Sequence, residues 1–311
     1  MKRSLTAGLA ALSMTFAGAA LAEYPEKPVS FIVPWPPGDL EDVLTRMIAE
    51  DFQAEYGVAA AVVNKPGGGG GPFPGAIDVA NAPADGYTVG SFVPAVALIG
   101  HQIDIPDLTP EKFDPVGIFL TYPFVIAASG DAPYSTMQEL ADHAREHDVV
   151  LGHFGDVLTP TQVTKALAKK MEFEWASDAA FDALDCNTLA SGDADVINTT
   201  LQLILPCLDQ VKVLVSITGE RISKVPDTPT IGEVDPELDI ALWNGLFVTK
   251  DTPQDVRDKI AAVASKTVMS ERAQKVAEET GALVYWMDAT ESADIIETDK
   301  ATLATIGAAL E

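Results

Sequence analysis

What most limits the folds open to this chain is its alternation of short β-branched runs with helix-periodic stretches, punctuated by proline and glycine. Val29 to Val33 is the first such run, and it ends in Pro34-Trp35-Pro36-Pro37-Gly38. From Asp39 to Glu55 apolar residues then recur at helical spacing, at Leu40, Val43, Leu44, Met47, Ile48 and Phe52. A second run, Ala59 to Val63, passes through Asn64-Lys65-Pro66 and the glycines Gly67 to Gly71 into a helical stretch around Ala76 to Asn81. Tyr87 to Phe92 is a third run, after an Asp85-Gly86 turn. Such βαβ order predicts a mainly parallel sheet with helices on both faces, and ligands of such sheets gather at the carboxyl ends of the strands.

The middle of the chain repeats the pattern. Strands are expected at Phe124 to Ala128, Val149 to His153, Ala194 to Asn198 and Val211 to Ile217, with helices at Met137 to Glu146 and Pro160 to Met171. Trp243 to Val248 reads as a further strand, followed by helices at Pro253 to Met269 and Glu271 to Thr280, a strand at Leu283 to Trp286 and a last helix. This order fits an α/β chain with two mainly parallel sheets and a ligand cleft between them.

Composition narrows the function. The 311 residues carry 46 Asp and Glu against 20 Lys and Arg, a formal net charge of −26. So negative a surface repels phosphate backbones and anionic lipid, which argues against nucleic acid as a partner and against docking on a membrane through a basic patch. Residues 1–22 read as a signal peptide: a basic start at Lys2 and Arg3, an apolar stretch from Leu5 to Ala17, and an A-x-A site at Ala20-Leu21-Ala22, with cleavage after Ala22. The mature chain, from Glu23, would carry −28 and reside in the periplasm. Cys186 and Cys207 are the two cysteines. An oxidising compartment permits them to pair, but spacing in sequence says nothing of the distance between their sulfurs, so pairing stays open.

Several blocks together carry a family resemblance. Tyr24-Pro25-Glu26-Lys27-Pro28-Val29 followed by Ile32-Val33-Pro34-Trp35-Pro36-Pro37-Gly38, then Asn64-Lys65-Pro66-Gly67, Asp85-Gly86-Tyr87-Thr88, Gly192-Asp193-Ala194-Asp195-Val196 and Val225-Pro226-Asp227-Thr228-Pro229-Thr230 occur in one order over nearly the whole mature chain. In these blocks it resembles the solute receptors of tripartite tricarboxylate transporters, the Bug family. The resemblance implies a two-lobed, type II-like periplasmic binding protein fold whose chain crosses twice between lobes. Lobe one would comprise 24–124 and 244–311, and lobe two 125–243. It also implies a non-enzymatic receptor, acting as a monomer without cofactor or metal, that captures a small organic carboxylate and hands it to a membrane permease. A receptor feeding a signalling partner would use the same fold.

The loops at strand ends supply the candidate contacts. In lobe one these are Trp35, Pro37, Gly38, Asp39 and Leu40, where prolines stiffen the loop, glycine admits close approach and the following helix presents its positive end, together with Phe92, Val93 and Pro94. In lobe two they are Gly155, Asp156 and Thr159, with Asn198 and Thr199 at a strand end. A bulky residue at Gly38 is expected to abolish binding and leave the stability of the unliganded protein nearly unchanged. Asp39 stands where the family commonly has a second glycine, and Asp156 lies in a loop that is rich in glycine and serine in the family. Two cleft carboxylates would repel a dicarboxylate, which points to a monocarboxylate with a neutral or cationic remainder, or to a carboxylate accompanied by a divalent cation. The alternative is that both side chains face solvent.

Other chemistries are weaker. The glycine run lacks the Lys-Ser/Thr ending of a phosphate loop, and Pro72 and Pro74 follow it. His143-Ala144-Arg145-Glu146-His147 matches H-x-x-E-H, in which two histidines on one helix face hold zinc beside a catalytic Glu146. It is the best hydrolase signal in the chain, but it lies in a polar helix with no identifiable downstream acidic ligand motif.

Overall fold

The computed structural model describes residues 23–67, 72–96, 105–181 and 183–311. The expected signal peptide and glycines 68–71 lie outside the described residues. The chain runs β1 (Val29–Val33), α1 (Leu40–Tyr56), β2 (Ala60–Asn64), α2 (Phe73–Ala80), β3 (Thr88–Phe92), β4 (Phe113–Thr121) and β5 (Phe124–Ser129). It continues with α3 (Met137–Ala144), β6 (Val150–His153), α4 (Thr159–Lys170), β7 (Ser177–Ala180), α5 (Cys186–Ser191), β8 (Val196–Thr200), α6 (Leu201–Ile204), β9 (Val211–Ser216) and α7 (Ile231–Val234). It closes with β10 (Trp243–Thr249), α8 (Gln254–Val268), α9 (Glu271–Thr280), β11 (Leu283–Met287) and α10 (Ala289–Leu310).

Two sheets form, as expected. The first has six strands in the order β11-β4-β10-β3-β1-β2, and the second five in the order β7-β6-β8-β5-β9. Both are mixed, which corrects the mainly parallel expectation. β1 pairs in parallel with β2 and β3, but β10 enters antiparallel between β3 and β4, and β11 closes the edge antiparallel to β4. In the second sheet β6 is parallel to β7 and β8, while β5 runs antiparallel to β8 and β9. The cause is connectivity: strands that follow a crossing between the sheets return in the opposite direction from the βαβ strands.

Burial follows the apolar periodicity. In α1, Leu40, Leu44, Ile48 and Phe52 are buried, and Phe52 meets the ring of Phe31 from β1 edge-on. Helix α10 packs on β4 and also on α4, where Lys169 donates to the Leu310 carbonyl at 2.8 Å. It therefore touches both sheets' layers. Cys186 and Cys207 form a disulfide, with Cα atoms 6.0 Å apart, which ties the start of α5 to the turn after α6. Among the described residues no helix is long and apolar enough to cross a membrane.

Candidate functional site

Strand register brings the loops of both sheets to one place. Phe92, the last residue of β3, faces Gly245, and Thr121 at the end of β4 faces Trp243 at the start of β10. From Thr121 the chain crosses through Tyr122 and Pro123 into β5, whose first residue, Phe124, faces Thr200 at the end of β8. The returning segment runs alongside, with the Tyr122 amide donating to the Leu242 carbonyl at 2.8 Å. The carboxyl ends of β1, β2 and β3 and those of β6, β7 and β8 thus border the same double crossing. Loops 34–39 and 154–158, and the segment that begins at Lys65, follow from those ends.

The loop after β1 is internally knitted. Asp42 accepts from the Gly38 amide at 2.9 Å, from Asn64 Nδ2 at 2.8 Å and from Arg46 through both carboxylate oxygens at 2.9 Å. Asn64 Nδ2 also donates to the Trp35 carbonyl at 3.0 Å. Burial pushes the Asp42 carboxyl up, but these donors and the Arg46 charge outweigh it and hold Asp42 below the usual range. The Gly38 amide is therefore already used by the chain itself. Asp39 begins α1 without capping it through its side chain, and the surrounding protein, then the charge of Asp42, raises its carboxyl.

Gly38 adopts φ of +100°, and a Cβ there would meet nothing within 4 Å. Space is free, but the backbone conformation strains any side chain. Gly38→Ala is thus expected to lower the stability of the unliganded protein by about 1–3 kcal/mol in urea unfolding. That revises the expectation of an unchanged stability; equal stability of the two proteins would show that the loop relaxes.

The remaining sequence candidates fall into different settings. Leu40 is buried in α1, and Phe92 is wholly buried, stacked on Phe247 and edge-on to Phe113, so its side chain is core. Pro94 is buried and Val93 half-buried beyond the strand end, while Pro37 is exposed. Thr199 is buried and donates to the Leu184 carbonyl at 2.6 Å; Asn198 is buried and donates to Thr164 Oγ1 at 2.8 Å. Both side chains brace β8 against its neighbours. Asp156 is bonded to Lys165 at 2.5 Å, and Lys165 also reaches Asp178 at 3.1 Å, whose other oxygen contacts His153 Nε2 at 2.8 Å. His153, Asp156 and Asp178 are the one group of metal-capable side chains found among the described residues, and the Lys165 ammonium already bridges its two carboxylates. Gly155 is buried in the same loop.

Some hydrogen-bonding capacity is unfilled on elements that reach the crossing, and Trp175 Nε1 and Arg257 Nε are unpaired elsewhere. Thr159 Oγ1 and Thr161 Oγ1 at the start of α4, Asn198 Oδ1 and Gln202 Oε1 at and beyond β8, and Trp35 Nε1 after β1 are buried atoms without a protein partner. A buried polar atom left unpaired costs about 1–3 kcal/mol, so such atoms call for water or ligand. A depression of about 730 Å³ also lies between α3, α4 and β9, but its two basic groups are taken, Arg145 by Asp142 and Lys170 by Asp235 and Glu237.

Sequence reasoning missed a buried chain of polar groups at the crossing. Glu41, in the first turn of α1 and 2% exposed, accepts from the Tyr122 hydroxyl at 2.9 Å. Tyr122 also stands 3.4 Å from Asn244 Oδ1; Asn244 donates to Ser91 Oγ at 2.7 Å, and Ser91 and Thr45 hydroxyls bond at 3.0 Å. Burial first, and Asp39 next, push the Glu41 carboxyl up to about 8.

The H-x-x-E-H motif does not form a zinc site. Helix α3 ends at Ala144, so Glu146 and His147 lie beyond it, and the His143 and His147 rings stack on each other at 4.2 Å.

Comparison with known proteins decides the family. The family model described as the tripartite tricarboxylate transporter family receptor matches residues 44–310. The chain belongs to that family. This receptor is 26% identical over 268 residues to the protein BugT of Bordetella pertussis, a match covering 80% of each chain. It shares its fold with the periplasmic binding protein BugD, at TM-score 0.75 and 24% identity over 91% of this chain and 99% of that one. MatC from Rhodopseudomonas palustris, solved with bound malate, superposes at TM-score 0.73 with 24% identity over 93% of this chain and 100% of the other. The family is one of transporter receptors, and BugD is a periplasmic binding protein; both are receptors, not enzymes.

Proposed function

We propose that this receptor captures a small organic carboxylate at the double crossing and delivers it to the permease of a tripartite tricarboxylate transporter. The observation that carries the reading is the convergence of strand carboxyl ends from both sheets on that crossing, with buried, unfilled polar atoms around it. The malate bound by MatC supports a carboxylate as the ligand class. Residues 24–124 and 244–311 would move as one lobe and 125–243 as the other, in a monomer exported by cleavage after Ala22.

The proposed first contacts are backbone. With the Gly38 amide taken by Asp42, the amides of Asp39 and Leu40 at the head of α1 are the donors left to fix a ligand carboxylate. Trp35 Nε1 adds a donor from the same loop, and Gly155 and Thr159 face it from the other lobe upon closure. Closure requires contacts that the open state lacks. Asp156 carries less weight against a dicarboxylate than its sequence position suggests, because Lys165 offsets its charge.

A thermal-shift screen of organic acids, amino acids and betaines, with and without calcium, tests the reading. One carboxylate class should raise the melting temperature selectively, since a ligand at 100 times its Kd adds about 2.7 kcal/mol to the folded state. No shift with any compound would overturn it.

A further inference from the structure

The chain places an acid of its own beside the expected anion position. Glu41 is two residues beyond Asp39, almost fully buried, and held by the Tyr122 hydroxyl of the crossing segment and by its own amide. Tyr122 is in turn fixed through its amide to Leu242 of the return crossing. Glu41 therefore links the head of α1 to the segment about which the lobes would move.

The charges that act on it are all of one sign. On α1 these are Asp39 and Asp42, the latter committed to Arg46; on the crossing segment the titratable neighbour is Tyr122, itself driven up by burial and by Glu41; β10 and β3 present the uncharged Asn244 and Ser91. A buried carboxylate without a cation is costly, and an anionic ligand beside it adds a further repulsion.

Resting on the receptor reading above, we propose that Glu41 sets the charge preference of the cleft: it must carry its proton for an anion to bind, so that capture of an anionic ligand and uptake of a proton are coupled. The coupling is reciprocal. If the proton strengthens anion binding, the anion must strengthen proton binding by the same factor. Burial and Asp39 already hold the free carboxyl at about 8, so near neutrality the receptor is primed for anions, and each step in alkaline direction weakens them. A neutral ligand would be indifferent to that titration.

The test is calorimetric titration of the receptor with malate and with adipate at fixed ionic strength. Affinity should be flat below about pH 7 and fall by up to about tenfold per pH unit above about pH 8, with proton uptake visible as a dependence of the heat on buffer. Glu41→Gln should remove both the pH dependence and the uptake. Tyr122→Phe keeps the carboxyl but deletes a bond that favours its ionised form, and should move the break to higher pH. Binding that is independent of pH, or a slope that survives in Glu41→Gln, overturns the coupling and leaves the receptor reading intact. Absence of binding by either acid, and by the wider carboxylate panel, at every pH overturns the receptor reading and the coupling with it.

Discussion

Replacing Glu41 by glutamine should stabilise the unliganded protein, and more so as pH rises. In the unfolded chain this carboxyl titrates near 4.5, whereas in the fold burial and the neighbouring Asp39 hold it at about 8. Below the lower value both states carry the proton and Glu41 imposes no penalty. Between the two values the unfolded chain has released its proton while the folded one retains it, so the folded state binds more protons and stability falls as pH rises. Above the upper value the folded carboxyl is ionised too, and the loss stays constant. At about 1.4 kcal/mol per pH unit, the full loss is on the order of 5 kcal/mol. Glutamine keeps an oxygen for the Tyr122 hydroxyl but has no proton to lose, so it escapes the penalty.

Urea unfolding of the two proteins across the pH range reads this directly. The difference should be small near pH 5, grow through neutrality and level off above about pH 8. Other titrating acids act on both proteins and cancel in the difference. A difference that does not vary with pH would mean that Glu41 titrates normally and is not buried as described. A stabilising change at a position that tunes binding would also mark Glu41 as a site where stability is given up for function.

What could be read from sequence follows from where the signal is local. Strand β1 and helix α1 were legible because β-branched and 3.6-residue patterns coincide there with real burial, at Phe31, Leu44, Ile48 and Phe52. Strand β4 was not, because Pro115 and Gly117 break its pattern. Pro115 is tolerated because it lies beyond the stretch that β11 covers, and Gly117 because the Trp286 ring occupies the place of a side chain, 2.4 Å from where its Cβ would be. Strand β7 escaped as a polar edge strand, Ser-Asp-Ala-Ala. Strand direction was misjudged because the antiparallel place of β10 depends on a return from the second sheet, which no local pattern encodes. The same limit governs the site. Loop 35–40 could be found from its proline and glycine, but an acid in the first turn of a helix looks like an ordinary dipole complement. Tyr122, which meets the buried Glu41, arrives from a distant segment that no local pattern announces. Likewise Asp156 looked free in sequence, since its partner Lys165 lies a full helical stretch away.

Loss of the Cys186–Cys207 bond should be the other large effect. The bond joins residues 21 apart, and closing a loop of that length in the unfolded chain corresponds to about 3 kcal/mol in the chain-entropy description. It spans α5, then β8, whose carboxyl end borders the crossing on the second-sheet side, and α6. Its surroundings are apolar, with Leu184, Ile197, Leu201, Ile204 and Ile222 in one cluster, so a pair of serines would also give up part of that apolar packing. The Cys186→Ser/Cys207→Ser double variant should therefore unfold at markedly lower urea. Thiol titration of the native protein should find both cysteines unreactive without reductant. Two reactive thiols would mean that the bond is not formed in the exported protein. Unreactive thiols with a double variant as stable as the parent would mean that the unfolded chain is already compact in this region, so that the bond removes little entropy from it.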